Sequence, residues 1–137
     1  MASERIEIIN HIFDLARYLN SNQLDTTLTM IQLRTVMYIS DHGKVKPTEI
    51  AKNFMITPAS VTSQIDTLVE RDWIERVFNQ NDKRVIEVRL TDEGRKLLPK
   101  EIDKLNESCS WIFNSLDTTE QKTLLALLEK ISSSKSI

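Results

Sequence analysis

The sequence predicts a mainly α-helical fold that carries one small β-hairpin. Glycine occurs only twice and proline three times in 137 residues, and both residue types interrupt helices where they are frequent. Apolar residues recur every three or four positions over most of the chain, which is the period of an α-helix. From Trp73 to Leu90 apolar and polar residues alternate instead, which is the period of a β-strand.

Two short helices joined by a tight turn are predicted in the middle of the chain. The first begins at Pro47. The second begins at Thr57 and Pro58, because threonine caps helix N-termini and proline lacks an N–H group that would be unpaired there. The outer face of the second helix is polar, as in a helix-turn-helix. The apolar faces consist of Ile50, Ala51 and Phe54 in the first helix and of Val61, Ile65, Leu68 and Val69 in the second.

A β-hairpin with a basic tip follows the second helix. Its strands are predicted at Trp73–Val77 and Val85–Leu90. The polar loop between them, 79–84, ends in Lys83 and Arg84. Two short helices followed by such a hairpin are typical of a winged helix-turn-helix, which is the fold class that the sequence predicts.

Two helices are predicted before this segment. An amphipathic helix covers Ser3 to about Leu19, with an apolar stripe wide enough to pack against more than one neighbour. The next helix runs from a cap at Thr27 or Thr29 to about Ser40.

The segment after the hairpin is predicted to form two further helices. Thr91 caps a long helix that reaches about Leu116, and the sequence Asp-Thr-Thr-Glu at 117–120 is a capping box for the last helix. Apolar residues of the long helix follow steps of four and three, which is a heptad-like seam that favours pairing with another helix. A chain this short with surplus apolar stripes is expected to form an oligomer. The seam consists of Leu98, Ile102, Leu105, Cys109, Ile112 and Leu116.

The net charge is −2, whereas nucleic-acid binders are often basic. Residues 44–96 hold ten Lys or Arg against nine Asp or Glu, and the rest of the chain is acidic overall. DNA affinity would therefore have to come from the placement of the charges rather than from their total.

Several classes of function are disfavoured. No Ser-His-Asp arrangement, phosphate-binding loop or carboxylate pair stands out, so an enzyme is not expected. The two histidines have no ligand-type residues at suitable spacing, so we expect neither a metal site nor a cofactor. Cys109 is the only cysteine, which excludes an intrachain disulfide. No apolar run is long enough to cross a membrane and the N-terminus lacks a secretory pattern, so a cytoplasmic protein is expected.

The middle of the chain resembles the MarR family of transcriptional regulators. The resemblance rests on Ala-Ser-Val-Thr-Ser at 59–63, Leu-Val-Glu-Arg-Asp-Trp-Ile-Glu-Arg at 68–76, Asn-Asp-Lys-Arg at 81–84 and Leu-Thr-Asp-Glu-Gly-Arg at 90–95. Its most specific part is the Asp-x-Arg wing followed shortly by Leu-Thr-x-x-Gly. The helical flanks agree with the rest of the family fold.

The resemblance implies one domain over 1–137 that acts as a homodimer. Residues 27–96 would form the winged-helix DNA-binding lobe, and 1–26 with 97–137 would form a helical dimerisation region from both termini. Members of the family pair their first helix and their last two helices across the dimer. In this chain, the residues expected in that interface are Ile6, Ile9, Phe13, Leu105, Ile112, Leu116, Leu124 and Leu128.

The resemblance also implies which residues meet double-stranded DNA. A recognition helix presents its N-terminal residues to base edges in the major groove. In the wing, Arg84 would enter the minor groove, Lys83 would contact phosphate, and Asp82 would hold Arg84 or the loop. Many family members have Arg or Lys at the position of Ser63, so this helix lacks the strongest guanine contact. A second departure from the family pattern is Asp72, where glycine is common. The candidates on the helix are Thr57, Ala59, Ser60, Thr62, Ser63 and Gln64.

Together these observations predict a sequence-specific DNA-binding transcriptional regulator, a homodimeric repressor of a pseudopalindromic operator. Family members are often released from DNA by a small-molecule effector, and no site for one is assigned. One alternative is a winged-helix protein–protein interaction module with weak DNA binding, which the near-neutral charge favours. Another is a redox-sensing regulator that uses Cys109, although a cysteine within an apolar seam usually acts as a small hydrophobic residue.

Overall fold

The computed structural model describes residues 2–21 and 24–134. Within them, the mainly helical fold with a small β-hairpin that the sequence predicts is confirmed. The elements are, in chain order, α1 (Ala2–Leu19), α2 (Met30–His42), α3 (Pro47–Phe54), α4 (Pro58–Glu70), β1 (Ile74–Phe78), β2 (Ile86–Leu90), α5 (Asp92–Ser108), α6 (Ser110–Asn114) and α7 (Thr118–Ser134).

Helix α2 begins with a capping box formed by Thr29 and Gln32. Thr29, rather than Thr27, is the cap, because its side-chain oxygen accepts a hydrogen bond from the N–H of Gln32. The Gln32 side chain in turn accepts one from the N–H of Thr29 at 3.1 Å. The helix ends at His42, two residues later than predicted.

The predicted helix-turn-helix is formed by α3 and α4. The Thr57 side-chain oxygen accepts a hydrogen bond from the N–H of Ser60 at 3.1 Å, and Pro58 occupies the first helical position. Met55 turns the chain between the helices with a φ of 54°, a left-handed conformation that the sequence pattern does not reveal. The predicted apolar faces turn inward: Ile50, Val61, Ile65 and Leu68 are buried, and Ala51, Phe54 and Val69 pack against the core.

The two strands pair antiparallel, and each begins one residue later than predicted. Trp73 still belongs to the turn after α4, since its N–H bonds to the carbonyl of Leu68 at 2.9 Å. Val85 belongs to the hairpin loop, since its N–H bonds to the carbonyl of Asp82 at 3.0 Å. Beyond the hairpin itself, Val45 forms a one-residue antiparallel bridge to β2.

One apolar core joins α2, α3, α4, the hairpin and α5. Leu97, Ile102 and Leu105 pack against it from α5, so Leu105, which is expected in a dimer interface, is partly buried within its own chain. The core therefore extends past residue 96, the predicted boundary of the DNA-binding lobe. The buried residues are Leu28, Leu33, Val36, Ile39, Val45, Ile50, Val61, Ile65, Leu68, Trp73, Ile74, Val88, Leu90 and Leu98.

The Leu-Thr-x-x-Gly motif fastens the start of α5 to the turn that follows α4. The hydroxyl of Thr91 donates to the carbonyl of Asp72 at 2.6 Å, and the N–H of Thr91 bonds to the carbonyl of Trp73 at 3.1 Å. Asp72 has a φ of 62°, in the left-handed region that favours glycine and that aspartate tolerates better than most residues. A Cβ on Gly94 would stand 2.2 Å from the Trp73 carbonyl oxygen, so glycine alone lets α5 approach this closely.

The prediction of one unbroken helix after Thr91 is wrong, because the helix is interrupted at Cys109. The N–H of Ile112 bonds to the carbonyl of Cys109 at 3.0 Å and not to that of Ser108. The carbonyl of Ser108 instead accepts a hydrogen bond from the Tyr18 hydroxyl at 2.8 Å. A tertiary contact from α1 thus replaces a helical hydrogen bond, and periodicity along the chain does not show such a contact.

A buried carboxylate ties α5 to the residues that lead into α2. Glu101 is only 3% exposed, and its Oε1 accepts a hydrogen bond from the N–H of Leu28 at 2.8 Å. Lys104 places its Nζ 3.9 Å from the other carboxylate oxygen and donates to the Thr27 hydroxyl at 3.2 Å. Because a buried carboxylate without partners is costly, these contacts fix α5 in its position.

The first and last helices stand apart from the core. The capping box predicted for α7 is confirmed, since the N–H of Glu120 bonds to Asp117 Oδ1 at 2.8 Å and the N–H of Asp117 bonds to Glu120 Oε1 at 3.0 Å. Every α7 residue is exposed, and so is α1 from residue 3 to residue 17.

Candidate nucleic-acid interface

The outer side of α4 borders an open groove of about 650 Å³. Three of the six helix residues expected to meet DNA, namely Ala59, Thr62 and Ser63, line this groove and are exposed. Thr57, Ser60 and Gln64 do not line it, and the last two are half-buried. The complete lining is Ala59, Thr62, Ser63, Asp66, Thr67, Val69, Glu70 and Arg76.

Two hydroxyl groups in this groove are engaged with the helix backbone. Thr62 donates to the carbonyl of Pro58 at 3.0 Å, and Thr67 donates to that of Ser63 at 3.1 Å. Because their protons are engaged in this way, both hydroxyl groups can serve a ligand in the groove only as acceptors. Acceptors of this kind suit the amino groups of adenine and cytosine, which lie in the major groove.

An ion pair joins the hairpin to the helix across this groove. Arg76 Nη2 donates to Asp66 Oδ1, and the two side chains are 41% and 60% exposed. Arg76 shares a face of β1 with the buried Ile74, because alternate strand residues point the same way. This side of the hairpin faces the core and α4. The sequence alone does not single out Arg76, since the contact depends on how the hairpin folds back.

The tip of the wing is organised by Asp82. Its Oδ1 accepts hydrogen bonds from the backbone N–H of Arg84 at 3.0 Å and from Arg84 Nε at 3.1 Å. Its Oδ2 accepts a third bond from Arg84 Nη2 at 3.2 Å. The Arg84 side chain is nevertheless 91% exposed, so the carboxylate orients the guanidinium while leaving it open to a ligand. Lys83, beside it in the loop, is exposed as well.

Asn79 also shapes the wing, a role that sequence reasoning missed. Its Oδ1 accepts hydrogen bonds from the backbone N–H groups of Asn81 and Asp82, at 2.9 and 3.2 Å. Its Nδ2 donates to Glu87 Oε1 at 3.0 Å on the opposite strand. An asparagine at the start of a polar loop is a known turn former, and this signal could have identified it.

The charge state of the wing carboxylate follows from these contacts. The Arg84 guanidinium, and after it the Arg84 backbone N–H, hold the pKa of Asp82 below its ordinary value. Asp82 is therefore ionised at neutral pH, which is the charge state that its contact with the Arg84 guanidinium requires.

The residues expected in a dimer interface fall into two groups. Those on α1 and α7 have exposed side chains, namely Ile6, Ile9, Phe13, Leu124 and Leu128. Those on or after α5 are partly covered by the chain itself, namely Leu105, Ile112 and Leu116. Large exposed apolar side chains are thus concentrated on the two helices that lie outside the core.

Cys109 is buried where α5 meets α6. Burial raises the pKa of its thiol, so the thiolate that would react with an oxidant is disfavoured at neutral pH.

A smaller cavity of about 280 Å³ lies between the end of α1 and the start of α2. Its lining combines apolar side chains such as Leu24 and Met30 with several hydroxyl groups. It is lined by Asn20, Ser21, Leu24, Thr26, Thr27, Leu28, Thr29, Met30 and Ile31.

Two negative findings apply to residues 2–21 and 24–134. No helix in these ranges is both long and apolar enough to traverse a lipid bilayer. The same ranges contain no group of three or more His, Cys, Asp or Glu arranged to hold a metal ion.

Comparison with known proteins agrees with this geometry. The model of the MarR family matches residues 28–86. YpoP of Bacillus subtilis, an uncharacterised HTH-type transcriptional regulator, is 27% identical over 124 residues, which cover 90% of this chain and 88% of YpoP. The transcriptional repressor MdtR of the same organism is 39% identical over 67 residues, which cover 49% of this chain and 43% of MdtR.

A solved structure adds a comparison over almost the whole fold. A crystal structure of a mutant MarR from E. coli in complex with operator DNA superposes with a TM-score of 0.71 at 27% sequence identity. The superposition covers 94% of this chain and 91% of MarR. Residues 28–86 therefore form a MarR-family domain, and the chain as a whole has the fold of the winged-helix transcriptional regulators of that family.

Proposed function

We propose that this regulator is a homodimeric repressor that binds a pseudopalindromic operator in double-stranded DNA. The observation that carries the proposal is the combination of an exposed polar face on α4 with a wing whose arginine is oriented and open. Ala59, Thr62 and Ser63 would approach base edges in the major groove, and Arg84 would enter the adjacent minor groove.

The wing contact would read the shape of the duplex rather than the identity of its bases. A narrow minor groove concentrates negative potential, and an arginine inserted there responds to that potential. Asp82 holds Arg84 with three hydrogen bonds and so reduces the conformational entropy that binding would otherwise cost. Lys83 would contact a neighbouring phosphate.

The exposed apolar faces of α1 and α7 support the homodimer. Phe13 is 65% exposed and Leu128 is 51% exposed, and neighbouring residues on both helices are similar. A monomer in water would gain free energy by covering such a surface, and a second copy of the chain provides a matching one. In a two-fold dimer the recognition helices would lie about 34 Å apart, one turn of DNA, which accounts for a pseudopalindromic operator.

Two relatives support the direction of the regulation. MdtR is a transcriptional repressor, and the MarR structure contains operator DNA. A bound repressor of this size covers an operator and thereby blocks transcription from it. Since its target would be the chromosome, we place the protein in the cytoplasm.

The cavity between α1 and α2 supports release by a small-molecule effector. Leu24 and Met30 provide apolar surface there, and Thr26 and Thr29 provide hydroxyl groups that could orient a ligand. The cavity lies where the terminal helix α1 meets the DNA-binding lobe. A ligand in this place would bias the relative position of the two regions, and with it the spacing of the two recognition helices.

The weak net charge of the DNA-binding segment favours a second candidate function. Residues 44–96 hold ten basic and nine acidic side chains, so a winged helix that serves mainly as a protein–protein contact is the rival. Strong salt dependence of duplex binding separates the two, because the release of counterions accompanies phosphate contacts only.

The experiment that tests the proposal is selection of bound duplexes from a random DNA library with the purified protein at two salt concentrations. We expect an enriched inverted repeat whose affinity falls steeply as the salt concentration rises. Absence of enrichment together with weak binding at both salt concentrations would overturn the proposal and favour the protein–protein module.

A further inference from the structure

The proposed recognition helix carries no positive charge of its own. From Pro58 to Glu70 the sequence contains no Lys or Arg, whereas Asp66 and Glu70 both line the groove beside it. DNA phosphates would be repelled by these carboxylates. A helix of this composition therefore needs a cation from another element if it is to lie in a major groove.

The hairpin delivers such a cation. Arg76 lines the groove together with Ala59, Thr62 and Ser63, the helix residues expected to meet bases. Among the groove-lining residues, all of which belong to the described part of the chain, Arg76 alone is basic. Its contact with Asp66 places its guanidinium on the outer side of α4.

We propose that Arg76 contacts a DNA phosphate at the edge of the major groove and that Asp66 positions it there. The inference rests on the proposed function, since it assigns a further DNA contact to the same surface. The guanidinium has five N–H donors, and only Nη2 bonds to Asp66. The side chain remains 41% exposed, so further donors can reach a phosphate oxygen while the carboxylate holds the group in place.

Asp66 acts here as a positioning residue. An exposed arginine without a partner samples many rotamers, and binding a phosphate would order it at an entropic cost. The ion pair restricts that freedom before DNA arrives. Arg76 also neutralises Asp66, which would otherwise repel the phosphate backbone.

The hairpin provides a matched control on its opposite face. Arg89 Nε donates to Glu75 Oε1 at 2.7 Å, and these side chains are 44% and 46% exposed. Arg89 therefore has the same residue type, the same kind of partner and nearly the same exposure as Arg76. Strand alternation puts it on the face of the hairpin that points away from α4.

The test measures the affinity for one duplex, taken from the selected pool, over a series of salt concentrations. We expect Arg76→Gln to weaken binding about tenfold at low salt and to reduce the slope of log affinity against log salt by about 0.9 for each protomer, which corresponds to one phosphate contact. Arg76→Lys should keep the slope, because lysine retains the charge, and Arg89→Gln should behave like the wild type. An Arg76→Gln slope equal to that of the wild type would overturn the inference.

The double variant Asp66→Asn/Arg76→Gln separates a phosphate contact from simple neutralisation of Asp66. It removes both members of the ion pair, so Asp66 is not left as an unpaired charge, and it also serves if Arg76→Gln alone does not fold. We expect it to regain part of the affinity and to keep the reduced slope. Recovery of the wild-type slope would instead mean that Arg76 only cancels Asp66. Failure of the wild type to bind duplex in a salt-dependent manner would overturn the proposed function itself. A changed salt slope in the control variant Arg89→Gln would not overturn the proposed function.

Discussion

Leu68 and Leu128 show how differently two regions of this molecule use the same residue type. Both lie on amphipathic helices, yet Leu68 on α4 is 0% exposed and Leu128 on α7 is 51% exposed. The winged-helix lobe covers its own apolar faces with a continuous core, whereas α1 and α7 leave theirs open. An amphipathic pattern thus shows that a face is to be covered, and only the tertiary structure shows whether the same chain covers it.

The largest effect is expected from breaking the self-covered region. Leu68→Ala should lower the free energy of unfolding by about 2–5 kcal/mol, because a buried leucine loses its packing and leaves a cavity. Leu128→Ala is the matched control and should change the stability of the lobe by less than ~0.5 kcal/mol. Urea denaturation followed by circular dichroism at low protein concentration measures both. Equal losses in the two variants would contradict the contrast between the regions.

The second effect concerns the uncovered region. Phe13→Glu combined with Leu128→Glu should weaken the proposed dimer roughly a hundredfold, about 2.7 kcal/mol, because its interface would bury the new carboxylates without partners. The far-ultraviolet circular dichroism spectrum should stay the same as that of the wild type, which would show that the variant is folded. Sedimentation velocity measures the mass of the assembly. The control is Lys122→Glu, which changes an exposed polar position of α7 and should stay dimeric. A double variant that remains a dimer would refute the assignment of this surface.

The third prediction separates DNA binding from assembly. Arg84→Ala should weaken binding to all duplexes roughly tenfold, about 1.4 kcal/mol, and should leave the dimer intact. Fluorescence anisotropy with several duplexes, together with the sedimentation mass, measures the two properties on one sample. Gln80→Ala changes another exposed residue of the same loop and should have little effect. Unchanged affinity of the Arg84 variant would refute its role in the wing.

Cys109, where the two regions meet, gives a smaller expected effect. Because burial raises the pKa of its thiol, hydrogen peroxide should change the DNA affinity of the wild type less than about twofold, and Cys109→Ser should respond in the same way. Electrophoretic mobility shifts with and without peroxide measure this. Peroxide-dependent release that is lost in Cys109→Ser would establish a redox sensor instead.

The smallest effect is a shift in titration. A carboxyl group with a lowered folded-state pKa stabilises the folded wing above its ordinary pKa and loses that contribution as the pH falls through the lowered value. The pKa of Asp82 should therefore lie below the ordinary aspartate range in the wild type and move back toward that range in Arg84→Ala, which loses the guanidinium but keeps the backbone N–H of residue 84. A pH titration of the Asp82 side-chain carbonyl by NMR measures this. Identical midpoints would mean that the contact between the two residues does not persist in solution.

Periodicity and capping residues predict most of the fold. The helix-turn-helix follows from the apolar faces of α3 and α4 and from the Thr57 cap, and α7 begins at the predicted capping box. These signals are local, since each lies within a few residues of the feature that it predicts. The wing follows from strand alternation together with a family-specific motif.

Contacts between distant residues could not be predicted in the same way. The interruption at Cys109 follows from a hydrogen bond between Tyr18 and Ser108, which are 90 positions apart. The burial of Glu101 depends on Leu28, 73 positions away. Arg76 meets Asp66 only because the hairpin folds back on α4. Such contacts leave no periodic pattern in the sequence, so sequence reasoning names helix and wing residues as candidates but does not name Arg76, which reaches the groove from the hairpin.

The close approach at Gly94 has a mechanical consequence. The Trp73 carbonyl packs against the backbone of Gly94, and Thr91 donates hydrogen bonds to the carbonyls of Asp72 and Trp73. The start of α5 is therefore held rigidly against the turn that ends α4. At its other end, α5 is held by Tyr18 of the terminal helix α1. A tilt imposed on α5 by the terminal helices would therefore move α4 together with it. In the proposed dimer, the angle between the two α5 helices would then set the distance between the two α4 helices.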